Sequence, residues 1–126
     1  KIGTIGRPTL LPNISNFKYT LSANIILIKP KINKLFIYYT LLSEYIENQI
    51  QLSIHSTSQP AFGMNKIRSL EIKLPENLSE EFDSIVKPLV KIDDRLNKER
   101  ELVKKLKTQK QGLMQDLLSG NVRVNY

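Results

Sequence analysis

Apolar residues recur at alternating spacings of four and three through the last third of the chain. Ten positions follow this spacing, and eight of them are apolar. The ten positions, which we call the seam, are Ile85, Leu89, Ile92, Leu96, Glu99, Val103, Leu106, Lys110, Leu113 and Leu117. A heptad pattern of this length predicts one long helix whose apolar side packs on a partner helix.

Local signals set the expected ends of this helix. Ser79 is a good N-cap, acidic residues follow it, and Gly120 suits the position just after a helix. The prediction is therefore a helix over residues 79–119, which at 1.5 Å per residue would be roughly 60 Å long. Pro88 is expected either to kink the first turns or to move the start of the helix to a later residue.

The first part of the chain has shorter apolar runs, separated by glycine, proline and polar residues. The clearest run is Ile25–Ile28, which is rich in β-branched residues and is followed by Pro30. Such runs predict short strands. The predicted strands are Lys1–Ile5, Thr9–Leu11, Leu21–Ile28 and Glu71–Leu74.

Between these strands the pattern predicts one helix and one helical turn. Asn33 is a suitable N-cap for a helix over Lys34–Gln49, and a short helical turn is expected near Asn65–Leu70. The apolar stripe of the predicted helix consists of Leu35, Tyr39, Leu42 and Ile46. The predicted fold class is therefore α+β, with mixed strands and a packed helix followed by a long coiled-coil helix.

Composition adds a basic balance to this picture. The 126 residues carry a net charge of +7, and the sequence pI is about 9.7. Most of the excess lies in residues 1–78, where nine Lys and Arg face four acidic residues. A basic surface attracts the phosphates of DNA or RNA, although many basic proteins bind no nucleic acid.

Other classes receive little support. The chain has no cysteine, so it has neither disulfides nor thiolate metal sites. No apolar stretch of about 20 residues suits a membrane span, and a cytoplasmic location is predicted. The chain begins at Lys1 rather than Met, which indicates part of a longer protein. His55 is the only histidine, and no sequence pattern for a nucleophile or for metal ligands accompanies it. We therefore predict no catalytic residue, no metal site and no cofactor.

A polar loop between residues 53 and 59 is the main candidate for DNA contacts. Its hydroxyl groups and its amide suit base edges, and the basic residues near it suit phosphates. The alternative is an ordinary hydrophilic loop. The candidate DNA-binding residues are Arg7, Lys18, Ser56, Thr57, Ser58, Gln59, Lys66 and Arg68.

Several segments, taken in order, resemble the specificity subunits of type I restriction–modification systems. Leu106–Val124 is the most specific of them and is very similar to the C-terminal helix of that family. The other matching segments are Lys1–Arg7 for a glycine-bracketed turn, Leu21–Pro30 for a strand, Lys34–Tyr39 for a helix, Ser56–Pro60 for a polar loop and Ile67–Pro75 for the closing segment.

The resemblance implies a non-catalytic subunit that reads one half of a split site in double-stranded DNA. It implies the distal part of a target-recognition domain over residues 1–78, a conserved spacer helix over 79–119 and a tail over 120–126. The helix would pack antiparallel with that of a second recognition half and dock methyltransferase subunits and, through them, restriction subunits. The implied interface residues are Ile92, Leu96, Val103, Leu106, Leu113 and Leu117. Alternatives are a half-length specificity protein that pairs with itself on a symmetric site, and a coiled-coil adaptor with no DNA role.

Overall fold

A computed structural model describes residues 6–12, 18, 20–22, 24–55, 62–77, 81–120 and 122–123. In these residues it has four helices: α1 at Lys34–Leu41, α2 at Glu44–His55, α3 at Met64–Arg68 and α4 at Glu81–Leu118. The chain divides into two compact units, Lys1–Val86 and Lys87–Tyr126. The first two turns of α4 belong to the first unit, and the rest of the helix belongs to the second.

The core of the first unit is built from three helices. Its buried apolar side chains are Phe36 and Ile37 from α1, Ile46 and Ile50 from α2, and Phe82 and Val86 from α4. The rings of Phe36 and Phe82 are tilted by 49° with their centroids 4.7 Å apart, a favourable geometry for two aromatic rings. The start of α4 is therefore held by the same core that joins α1 to α2.

Asn33 starts α1 as the sequence predicts. Its side-chain oxygen accepts hydrogen bonds from the backbone N–H groups of Leu35, at 3.0 Å, and Phe36, at 3.1 Å. These are two of the four N–H groups that a helix start leaves without an intrahelical partner. The predicted N-cap is confirmed.

The single helix predicted over residues 34–49 is wrong, because Ser43 divides it in two. The Ser43 hydroxyl donates to the Thr40 carbonyl at 2.6 Å and accepts from the Ile46 N–H at 3.5 Å. It thus closes α1 and caps α2, which continues to His55. The break also shifts the helical phase, so that Leu42 of the predicted stripe is exposed while Ile50, outside it, is buried.

The predicted α+β class is also wrong, since the described residues contain no strand. Thr9–Leu11, Glu71–Leu74 and the described part of Leu21–Ile28 have irregular backbone, and Lys1–Ile5 lies outside the described residues. A strand needs a hydrogen-bonded neighbour, and none of these segments pairs with another in the part of the chain that the structure describes. Ile25, which lies in the run predicted to form a strand, is 56% exposed.

The long helix is confirmed. It runs from Glu81 to Leu118, and Gly120 follows in the left-handed region with φ +74°. The N–H of Val122 donates to the carbonyl of Asp116 at 3.2 Å, and a glycine in the left-handed conformation is a common way for a helix to end. Pro88 lies inside α4 and does not move its start to a later residue. Ser79, the predicted N-cap, lies outside the described residues.

Candidate nucleic-acid surface and helix interface

The structure places the predicted DNA-binding residues in different environments. Arg7, Lys18 and Arg68 are exposed to solvent. Lys66 is half-buried, and its ammonium group donates to the backbone carbonyl of Ser53 at 2.8 Å. The four loop residues Ser56 to Gln59 lie outside the described part of the chain.

The contact of Lys66 has a clear structural cause. Ser53 is in the last turn of α2, where backbone carbonyls lack intrahelical partners and carry partial negative charge. A lysine side chain from α3 satisfies one of them. Lys66 therefore joins the helices that come before and after residues 56–61. An ammonium group has three donors, and the contact with Ser53 uses one of them.

A second basic segment is not among the DNA-binding residues predicted from the sequence. Lys29, Lys31 and Lys34 lie within six residues at the start of α1, and all three are exposed. The signal was present, because the first acidic residue of the chain is Glu44 and the preceding 43 residues carry six Lys and Arg. The basic excess of the first unit is therefore concentrated before α2.

The seam of α4 is exposed along its length in the second unit. The six predicted interface residues named above have exposed fractions between 45% and 57%. Leu102, Met114 and Leu118 beside the seam are also exposed apolar residues. An exposed, mostly apolar stripe of this kind on a helix is typical of a surface that packs on another protein.

The described residues contain no group of three or more His, Asp or Glu side chains placed to hold a metal ion. His55 is the last residue of α2. Among the described helices, none is long and apolar enough to cross a membrane.

A small helical unit with exposed basic residues, continued by a long helix with an uncovered seam, has the features of a binding module. Comparison with known proteins identifies the family to which this module belongs. Residues 2–108 match the family described as the type I restriction modification DNA specificity domain. The chain belongs to this family, which confirms the resemblance seen in the sequence.

One relative gives a measure of coverage. The chain is 30% identical to the type I restriction enzyme MjaVIII specificity subunit of Methanocaldococcus jannaschii over 94 residues, which are 75% of the chain. The match covers 22% of that protein, so the chain spans about a fifth of its relative's length. No solved structure matches the chain.

Proposed function

We propose that this chain is part of a DNA-reading specificity subunit of a type I restriction–modification complex. It contributes to sequence-specific recognition of one half of a bipartite site in double-stranded DNA. The chain performs no chemistry itself. Methyl transfer and cleavage belong to the methyltransferase and restriction subunits, and α4 provides the surface on which the methyltransferase subunits dock. Such a complex acts on DNA in the cytoplasm.

The observation that carries the proposal is a set of exposed basic residues in a chain of the specificity-domain family. Arg7, Lys18, Lys29, Lys31 and Lys34 are exposed and precede the first acidic residue. Contacts from such residues to phosphates release counterions and supply sequence-independent affinity. They would hold the protein on the duplex, while side chains that reach base edges select the sequence.

Residues 56–59 are the proposed source of that selection. Serine and threonine hydroxyls bond to several base edges, and a glutamine amide can pair with adenine in the major groove. The bond from Lys66 to the carbonyl of Ser53 joins residues on either side of this segment in the sequence. We propose that Lys66 lies near phosphates of the bound DNA.

Charge reversal at exposed basic residues tests the proposal. The chain would be titrated with a random-sequence duplex, comparing Arg7→Glu, Lys31→Glu and Arg68→Glu with the unchanged protein. Each reversal should weaken binding several-fold and reduce the slope of log affinity against log salt by about one per lost phosphate contact. Lys105→Glu, on the outer side of α4, is the matched control and should leave the affinity unchanged.

Two outcomes would count against this function. If none of the three reversals changes affinity or salt dependence, these residues do not form the DNA surface. If the unchanged chain binds no duplex at low salt, the coiled-coil adaptor becomes the better interpretation. Gln59→Ala tests sequence selection separately from overall affinity, because it should alter the preferred sequence while the affinity for random duplex stays the same.

A further inference from the structure

Pro88 lies inside α4, where a proline weakens the helix. A proline has no backbone N–H, so residue 88 donates no hydrogen bond to the carbonyl four residues earlier, and its ring crowds that carbonyl. Sharp bends in helices are almost always found at proline or at a few other local defects. From the sequence, Pro88 is expected to cause either a bend or a later helix start. The later start is excluded, because α4 already begins at Glu81.

The position of Pro88 coincides with the end of the attachment of α4 to the first unit. Phe82 and Val86 are the buried residues of α4, and the ring of Phe82 packs on Phe36 of α1. The boundary between the two compact units falls between Val86 and Lys87. Pro88 therefore follows closely after the last buried side chain of the helix.

The helix beyond Pro88 offers no equivalent weak point. Within α4, all of whose backbone the structure describes, Pro88 is the only proline. Gly112 is the one glycine of α4, and a glycine keeps its backbone donor. A helix with a complete hydrogen-bond pattern curves only gently, so bending of α4 is concentrated where a backbone donor is missing.

Packing does not explain why a proline occupies position 88. Its ring is exposed to solvent, so it fills no space in the core of the first unit. Proline is also the least favourable residue in a helix interior. Positions at which a sequence breaks such a local rule are commonly functional. The useful property of Pro88 is therefore the interruption of the backbone hydrogen bonds.

We propose that Pro88 is a hinge within α4. The first two turns of the helix move with the first unit, because Phe82 and Val86 are held in its core, whereas the helix after Pro88 can tilt away from the line of these turns. A bend confined to one position between two rigid segments is a hinge. The hinge would let the first unit turn onto a DNA duplex while α4 stays docked on its partner subunit. This use rests on the proposed function, whereas the hinge itself does not.

Distances between spin labels test the hinge, and the chain has no cysteine that would interfere with labelling. One label pair spans Pro88, with Glu47→Cys on α2 and Lys105→Cys on α4, both at exposed positions. A second pair, Lys91→Cys with Lys105→Cys, lies entirely beyond Pro88 and is the internal control. An excess of unlabelled chain removes distances between copies.

Pro88→Ala supplies the missing backbone donor and should stiffen the helix. The distance distribution of the spanning pair should be broad in the unchanged chain, and the substitution should narrow its width at least about twofold. The control pair should give the same narrow distribution in both chains, centred at roughly 21 Å from the rise of 1.5 Å per residue. Lys98→Ala, at another exposed position of α4, is the matched variant and should leave the spanning pair broad.

Two results would overturn the hinge. If the spanning pair has the same width in the unchanged chain and in Pro88→Ala, residue 88 does not control bending. If Pro88→Ala shifts the mean distance and leaves the width unchanged, Pro88 makes a fixed kink rather than a hinge. Pro88→Lys also supplies a backbone donor and should narrow the distribution as Pro88→Ala does. Narrowing by alanine alone would show that the missing donor is not the cause.

The hinge and the proposed function can fail separately. The label distances need no DNA, so narrowing of the spanning pair by Pro88→Ala supports the hinge even if the chain binds no duplex. If Lys31→Glu weakens duplex binding while Pro88→Ala leaves the distribution unchanged, the DNA role stands and the hinge is refuted. The affinity of Pro88→Ala for random duplex should equal that of the unchanged chain, because the proposed phosphate contacts lie in the first unit.

Discussion

The side-chain amide of Gln49 exchanges two hydrogen bonds with the backbone of Glu71. Its Nε2 donates to the Glu71 carbonyl at 3.0 Å, and its Oε1 accepts from the Glu71 N–H at 2.9 Å. The amide thus occupies the place that the backbone of a neighbouring strand would take. These two hydrogen bonds link α2 to the irregular segment that precedes α4. Gln49 and Glu71 are 22 residues apart in the chain.

Replacing Gln49 with alanine should lower the free energy of unfolding of the first unit by about 1 kcal/mol, since both bonds are near solvent. Gln49→Glu keeps the acceptor but loses the donor, and should lose part of that amount. Urea unfolding followed by near-ultraviolet circular dichroism suits the measurement, because eight of the nine Phe and Tyr residues lie before residue 87. Gln51→Ala, at an exposed position of the same helix, serves as control. Equal stabilities of the two alanine variants would contradict the prediction.

Gly6 should tolerate no side chain. Its φ is +78°, and an added Cβ would lie 2.8 Å from Cδ1 of Ile50, a core residue. Gly6→Ala therefore combines backbone strain with a steric clash and should destabilise the first unit by about 1–3 kcal/mol.

Gly112→Ala is the opposite case and provides the control. Gly112 lies within α4 on the side away from the seam, and no atom is within 4 Å of the position its Cβ would take. Alanine should stabilise the helix by about 0.5–1 kcal/mol, because it loses less conformational freedom than glycine. Helix content measured against temperature would show this gain. If Gly112→Ala lost as much stability as Gly6→Ala, the loss at Gly6 could not be assigned to its backbone conformation and its contact with Ile50.

Features with a local cause could be predicted from the sequence. Asn33 caps α1 through its own side chain, and Gly120 ends α4 through its own backbone conformation. The heptad pattern of α4 is similarly local, since each seam position repeats one or two turns from the last. These signals depend on residues within a few positions of each other, so the chain that surrounds them could not overturn them.

Features that depend on distant partners could not be predicted. The run Leu21–Ile28 has the composition of a strand, but a strand forms only where another segment pairs with it. Ser43 looked like an ordinary polar position within a helix, and its role becomes visible only once both of its hydrogen bonds are known. In the candidate site, exposure of Arg7 and Arg68 followed from their charge, whereas the bond from Lys66 to Ser53 depends on how α3 meets α2.

Lys66 and Arg68 should therefore respond differently to substitution. Lys66→Met keeps the aliphatic part of the side chain but removes the bond to the Ser53 carbonyl, and should lower stability by about 1 kcal/mol. Arg68→Gln should leave stability unchanged and weaken duplex binding, because its exposed guanidinium is proposed to contact phosphate. Thermal melts and DNA titrations on both variants make the comparison. A stability loss in Arg68→Gln equal to that in Lys66→Met would assign both residues to structure alone.

The seam should be the assembly surface of the chain. Leu113→Asp places an unpaired carboxylate among apolar side chains of the partner helix, where such a charge costs several kcal/mol. Because methyltransferase subunits are proposed to dock on α4, we expect this change to abolish their capture by the chain. Leu106→Asp, one heptad earlier in the seam, should act in the same way.

Both changes should leave the first unit unaffected. Leu106 and Leu113 lie in the second unit, whereas the buried side chains Phe36, Ile46 and Phe82 form the core of the first. The near-ultraviolet melting transition and the affinity for random duplex should therefore stay the same. Thr108→Asp introduces the same charge on the outer side of α4 and should preserve the capture. If methyltransferase capture survives both Leu106→Asp and Leu113→Asp, the methyltransferase must dock elsewhere on the chain.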